Sequence, residues 1–231
     1  MELVFPLEMP TLAIVGRNAR FPVRRIYCVG RNYVEHIREM KEGDERDPPF
    51  FFQKPSDAIV SEGAVVPYPP FTEDFQFEAE LVVAIGKEAR NVSVGEALDA
   101  VFGYAAGVDL TRRDRQKESF KKGLPWEIGK SFDNSAPCGP IHTVADAGHR
   151  LKGTIAISVN GETRQNGDLE QMIWNTPEIV AKLSEQYTLM PGDIIMTGTP
   201  AGVGPIKPDD KLVVDIEGLE PFSFSIGARE D

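Results

Sequence analysis

Apolar positions in this chain come mostly in short blocks of four to eight, cut by glycine, proline, asparagine or charged residues. Blocks of that length, rich in valine, isoleucine and aromatics, predict strands. They fall at residues 12–15, 25–30, 50–52, 79–85, 154–159, 193–197, 211–216 and 222–226, and a longer apolar segment spans 101–110. Asn160-Gly161 separates 154–159 from 162–165 and predicts a tight hairpin. Helical signals are fewer. Asn32 can cap a short helix through Met40, with Val34, Ile37 and Met40 near one face. Residues 94–100 and the polar stretch 112–122 read as helical, and Thr176-Pro177 opens a helix to about Tyr187. The charged stretch 41–49 ends in Pro-Pro and reads as a connection. Strands outnumber helices and no regular β-α-β alternation appears. The expected class is α+β, predominantly β, with neither Rossmann nor barrel architecture.

One of these strands carries chemistry. In Phe-Gln-Phe-Glu-Ala-Glu-Leu-Val-Val-Ala-Ile-Gly, Glu78 and Glu80 are two apart and project to one face, while Ala79 and Leu81 turn to the other. Two like charges so close need a neutralising partner. Asp109, in Gly-Val-Asp-Leu, supplies a third carboxylate. Three oxygen donors suit a hard divalent cation, Mg²⁺, Mn²⁺ or Ca²⁺, with positions left open for water and a chelating substrate. The rival reading is a solvated acidic face with Asp109 as a cap or turn residue.

Composition narrows the classes. The 231 residues carry 25 Lys+Arg against 36 Asp+Glu, a net charge of −11, which argues against a nucleic-acid footprint. No apolar run approaches a membrane span, and the N-terminus lacks the basic and apolar regions of a signal peptide. Cys28 and Cys138 are too few for a disulfide framework or a cysteine zinc site. A cytoplasmic enzyme, organised as an extension over residues 1–22 and one catalytic domain over 23–231, fits these facts.

Further candidates each have a plain alternative. His36 and Glu39 are three apart on the expected helix, so the carboxylate can orient the imidazole as a general base; the alternative is a solvated helix face. Lys54 follows an aromatic strand and Lys130 lies in Gly-Lys-Ser, both placed to anchor an anion, or else to snorkel at the surface. Arg112, Arg113, Arg115, Lys117, Lys121 and Lys122 form a basic patch that suits a small dianion or a salt-bridged helix. The loop Thr-Gly-Thr-Pro-Ala-Gly-Val-Gly lacks a P-loop ending, and its backbone N–H groups can cradle an oxyanion or simply turn the chain.

Five segments in order, Tyr-Cys-Val-Gly-Arg-Asn-Tyr (27–33), Phe-Gln-Lys-Pro-Ser (52–56), Phe-Glu-Ala-Glu-Leu (77–81), Gly-Lys-Ser-Phe-Asp (129–133) and the glycine loop (197–204), resemble the fumarylacetoacetate hydrolase family. The likeness runs from about Val23 to Ile226 and implies a mixed β-sandwich or roll. It implies Mg²⁺ or Mn²⁺ on Glu78, Glu80 and Asp109, and a His36–Glu39 dyad on a lid helix. It also implies a catalytic Lys130 that stabilises developing negative charge, and substrate contacts from Arg31, Lys54, Arg113, Gln116 and Thr199. The implied reaction is hydrolysis of a C–C bond in a small anionic 2,4-diketo acid, with the branch that splits fumarylpyruvate in gentisate degradation the most similar. Acylpyruvate hydrolysis, oxaloacetate decarboxylation and isomerisation of an unsaturated keto acid are the alternatives. A homodimer is expected.

Overall fold

The computed structural model of the chain describes residues 4–36 and 47–229. Two sheets position the site. The first runs, edge to edge, His142–Thr143, Val101–Val108, Ala79–Ile85, Asp193–Met196, Arg25–Gly30 and Phe50–Lys54. Asp193–Met196 is parallel to Arg25–Gly30 and antiparallel to Ala79–Ile85, so the sheet is mixed. The second runs Glu162–Asp168, Thr154–Val159, Lys211–Ile216, Phe222–Arg229 and Val65–Tyr68. The architecture is mostly strand with few helices, as the pattern of short apolar blocks predicts.

Alternation along Ala79–Ile85 decides the layering. Ala79, Leu81, Val83 and Ile85 join a core cluster with Ile155, Ile157, Val214 and Phe222 of the second sheet. Val82 and Ala84 face the other way, into a cluster with Ile26, Cys28, Ile194 and Met196. The strand is buried on both faces, which is why it reads as an unbroken apolar run. Glu78 and Glu80 share the parity of Val82 and Ala84 and lie where that run begins.

Local chemistry explains the turns. Asn160 and Gly161 both have positive φ, 54° and 84°, as a two-residue type I′ hairpin requires. Thr176–Gln186 is capped by Asn175 in a reciprocal capping box with Glu178, with Pro177 in the first turn.

Several expectations need correction. Over residues 94–100 only Ala97–Ala100 is helical, as one 3₁₀ turn; Val94-Gly95 is a poor helix start and the segment is too short to nucleate. Asn32 was expected to cap the following helix, but its amide goes elsewhere. Its Nδ2 donates to the carbonyls of Trp174 (2.9 Å) and Thr197 (2.7 Å), and its Oδ1 accepts from Trp174 N–H at 2.8 Å. Long-range backbone partners outcompete the local one. Residues 34–36 are helical, whereas the remainder of that expected helix, Glu39 included, and most of the 41–49 connection lie outside the described residues. One-turn helices at Glu127–Lys130 and Val144–Ala147 are too short to leave a periodic signal. Among the described residues, no helix is long and apolar enough to cross a membrane.

Candidate functional site

Glu78 sits in the one-residue break between the Phe75–Phe77 and Ala79–Ile85 strands, and Glu80 pairs across the sheet with Gly107. Asp109 follows the end of the neighbouring Val101–Val108 strand, and its N–H donates to the Glu78 carbonyl at 2.8 Å. Antiparallel pairing thus delivers all three carboxylates to one end of the sheet. One oxygen from each lies within 4.8 Å of the others, and all three residues are buried. The solvated-face reading fails here.

Cations surround this cluster unevenly. Lys130 Nζ lies 2.7 Å from both Glu78 and Asp109 and donates to Thr111 Oγ1 at 2.8 Å. Those three acceptors take all three ammonium hydrogens. Lys54 Nζ is 2.8 Å from Asp109 Oδ1 and donates to the backbone carbonyls of Leu110 and Lys130. Arg113 reaches Glu78 with one guanidinium nitrogen, Gln76 Oε1 with another at 2.9 Å, and Gln116 Oε1 with the third at 2.6 Å. Lys54, Lys130 and Arg113 are each 98 % or more buried, so none snorkels.

Glu80 is different. Gly198 N–H donates to it at 2.7 Å, and among the described residues no lysine or arginine comes within ion-pair distance. Gly198 has φ +94°, and a Cβ there would stand 2.7 Å from the Asn32 side chain, so only glycine brings its N–H to Glu80. Burial raises the Glu80 carboxyl well above its ordinary range, and the nearby Asp109 and Glu78 charges add to the rise. Burial pushes Glu78 the same way, but the Lys130 and Arg113 charges outweigh it and hold that carboxyl below its ordinary range. Lys130 is lowered by burial, yet Asp109 and Glu78 win and keep it above its usual value. An ionised Glu80 at 2 % exposure with one hydrogen bond is a large desolvation cost. A divalent cation against Glu80, Glu78 and Asp109 is the counter-charge that this donor set fits, and the hard oxygen ligands suit Mg²⁺ or Mn²⁺.

The cavity over the cluster is lined by Glu78, Glu80, Asp109, Arg113, Gln116, Lys130 and Thr199, together with His36 and Arg31. His36 is 92 % buried and lines the cavity with Glu78 and Glu80, which removes the solvated-helix alternative. Its expected partner, Glu39, lies outside the described residues. Arg31 has φ +60°, rare for a bulky residue, and its guanidinium stands 5.4 Å and 5.9 Å from the Phe120 and Trp126 ring centres. Lys54 is absent from the lining and stands behind Asp109. The Gly198 N–H to Glu80 is the backbone cradle that the glycine loop suggests, filled here by the protein's own carboxylate. Gln76, Thr111 and the aromatic wall of Phe52, Phe120 and Trp126 are not singled out by the sequence, although the Phe-Gln-Phe alternation aims Gln76 with the glutamates.

Known proteins resemble this chain over most of its length. The sequence model of the fumarylacetoacetate (FAA) hydrolase C-terminal family matches residues 25–226. Oxaloacetate tautomerase FAHD1 of Bos taurus is 44 % identical over 210 residues, covering 90 % of this chain and 93 % of the relative. Fumarylpyruvate hydrolase of a Ralstonia species is 42 % identical over 181 residues, 78 % of this chain and 94 % of its own. The crystal structure of fumarylpyruvate hydrolase from Pseudomonas aeruginosa, in complex with Mn²⁺ and pyruvate, matches with a TM-score of 0.96 at 44 % identity. That match covers 99 % of this chain and 100 % of the other.

Proposed function

This chain belongs to the fumarylacetoacetate hydrolase family, and from that premise we propose that it hydrolyses the C3–C4 bond of a 2,4-diketo acid, most specifically fumarylpyruvate, to fumarate and pyruvate. The observation that carries the reading is Glu80, a buried carboxylate with no lysine or arginine at ion-pair distance among the described residues, which lines one cavity with His36, Glu78 and Asp109. Mg²⁺ or Mn²⁺ on those three carboxylates supplies Lewis acidity and open positions for a carboxylate and adjacent keto oxygen.

The chain's own residues do the rest. His36, with Glu39 as its orienting carboxylate, takes a proton from water. The water oxygen bonds to C4, the C3–C4 bond breaks, and its electron pair stays on C3. Imidazolium returns the proton to C3, and the new C4 carboxyl releases the water's second proton to solvent, so one water gives one fumarate, one pyruvate and one proton. Lys130 holds Asp109 and Glu78 in place through buried ion pairs, and Lys54 adds a second to Asp109. Arg113, already shared with Glu78, adds positive charge beside the substrate. Gln116 Oε1 accepts from Arg113, which leaves its Nε2 as a donor for a substrate oxygen. Arg31, at the mouth, suits the distal carboxylate.

Oxaloacetate is the second reading, favoured by the similarity to oxaloacetate tautomerases. Loss of CO₂ from oxaloacetate leaves the pyruvate enolate without water attack, and proton exchange at C3 passes through the oxaloacetate enolate, which keeps its C4 carboxylate. Acylpyruvate hydrolysis differs only in the distal acyl group, whereas isomerisation of an unsaturated keto acid moves a proton and a double bond with no water attack and no C–C cleavage.

Ultraviolet loss of fumarylpyruvate, acetylpyruvate and oxaloacetate, each with Mg²⁺ and with EDTA, tests these readings. Fast metal-dependent formation of fumarate and pyruvate, reduced about a hundredfold or more in His36→Ala, is the expected outcome. Preference for oxaloacetate would transfer the assignment to the second reading, and full turnover after EDTA would remove the metal.

A further inference from the structure

Glu162–Asp168 is the edge strand of the second sheet, and only Gln165 in it is fully buried. A buried polar side chain on an otherwise solvated edge strand is unusual. The hairpin register explains how it arises. Ser158 pairs with Thr163 and Ile157 with Gln165, so Arg164 is an extra residue in a bulge. A bulge re-aims the following side chain, and here it turns Gln165 toward the site. The glycine loop is pressed against this strand, since a Cβ on Gly167 would stand 2.7 Å from Pro200.

Every hydrogen-bonding group of the Gln165 amide contacts the site. Oε1 accepts from the N–H of Ala79, the residue between Glu78 and Glu80, at 2.9 Å. Nε2 donates to the Pro200 carbonyl at 2.7 Å and to Thr199 Oγ1 at 2.8 Å. The two backbone partners leave no choice of amide orientation, because Ala79 N–H can only donate and Pro200 C=O can only accept. The contact with Thr199 therefore has a forced direction: Gln165 donates, and the hydroxyl oxygen accepts. The Thr199 proton must point elsewhere. Thr199 lines the cavity and is 98 % buried, and among the described residues its hydroxyl has no acceptor.

From this geometry we infer that Gln165 is a positioning residue that makes Thr199 a committed hydrogen-bond donor to an anionic ligand oxygen in the cavity. Without Gln165 the hydroxyl could turn to donate to the Pro200 carbonyl and present a lone pair to the anion. The inference deepens the proposed function and rests on its view that the cavity takes a metal-chelating keto acid.

Oxalate, a planar dianion shaped like the pyruvate enolate, is the probe, titrated calorimetrically into Mn²⁺-loaded protein. Thr199→Val is expected to weaken oxalate about ten- to a hundredfold, the range for a hydrogen bond to a charged group, while Thr199→Ser keeps it. Gln165→Met is expected to weaken it comparably, and the double variant little further, because both remove one interaction. Mn²⁺ affinity, read by electron paramagnetic resonance, is expected to stay within a few-fold throughout. Undiminished oxalate binding in Thr199→Val overturns the inference whether or not Gln165→Met folds. Additive losses also overturn it, as does a loss of Mn²⁺ affinity in Gln165→Met that matches its loss of oxalate, because Gln165 would then serve only the carboxylate strand. Failure of the proposed reaction would show separately, as wild-type protein that binds oxalate but turns over no diketo acid.

Discussion

Glu78 and Glu80 stand two residues apart on one strand face, yet their burial is resolved in opposite ways. Glu78 has Lys130 and Arg113; among the described residues Glu80 has a single backbone N–H. Removing the Glu78 charge takes the carboxylate from buried Arg113 and leaves buried Lys130 with Asp109 alone, so Glu78→Gln is expected to destabilise the metal-free protein by about 3–5 kcal/mol. Glu80→Gln removes an unneutralised buried acid and is expected to leave metal-free stability equal or raise it by about 1–2 kcal/mol, while Mn²⁺ affinity collapses. Denaturant melts with EDTA and Mn²⁺ titrations check both, and equal destabilisation by the two variants would refute the contrast. The pH dependence carries the same asymmetry. A carboxyl raised on folding contributes stability that is whole below about pH 4.3, the ordinary glutamate value, and is lost as pH rises through the raised native value. Glu78, lowered on folding, contributes above about pH 4.3 and loses its part only as pH falls through its low native value. Metal-free protein is therefore expected to melt lower as pH climbs through the Glu80 titration. Mn²⁺, which requires the ionised ligand and releases its proton, is expected to abolish that decline. Thermal scans across pH with EDTA and with Mn²⁺ read this, and superimposable profiles would contradict it.

At the scale of elements, strand pairing makes the site. Glu80 opposite Gly107 and Asp109 just beyond Val108 follow from the register of one antiparallel pair, which a one-residue slip would destroy. The glycine loop reaches Glu80 because Asp193–Met196 is the strand next to Ala79–Ile85, so the residues after Met196 emerge at the same end. Helices serve as walls. Arg113–Lys122 brings Arg113 and Gln116 to the cavity and ends at Gly123 in the left-handed conformation. Thr176–Gln186 buries Ile179, Val180 and Leu183, and its start rests on Asn175. Asn175→Ala is expected to cost about 1 kcal/mol, seen as a lower melting temperature, with the kinetics of the site unchanged. A fall in kcat comparable to the loss in a His36 variant would show that this helix is coupled to the chemistry.

Over the whole molecule, Phe120, which lines the cavity, and Leu124 and Ile128 are exposed apolar residues, as are Val4, Phe5 and Leu7 in the N-terminal segment. Such surface favours self-association. Together with the family likeness it leads us to expect a homodimer, which size-exclusion chromatography with light scattering would show as twice the chain mass; a monomeric mass at micromolar concentration would refute it. The amino-acid order alone determined the strand-rich class, the Asn160-Gly161 hairpin, the Thr176 helix start and the same-face pairing of Glu78 with Glu80. These rest on period-two alternation, turn conformers and capping, which act over a few residues. The order also brought Asp109, His36, Arg113, Gln116, Lys130 and Thr199 forward as candidates, partly through residue type and partly through family likeness. Only the tertiary structure decided which carboxylate lacks a cation, that Lys54 stands behind Asp109, that Asn32 leaves its helix for Trp174 and Thr197, and that Gln165 sets Thr199. Those facts depend on contacts between residues 34 to 165 positions apart. Their energies come from burial and from competition among distant partners, and neither quantity exists until the sheets have closed over the site.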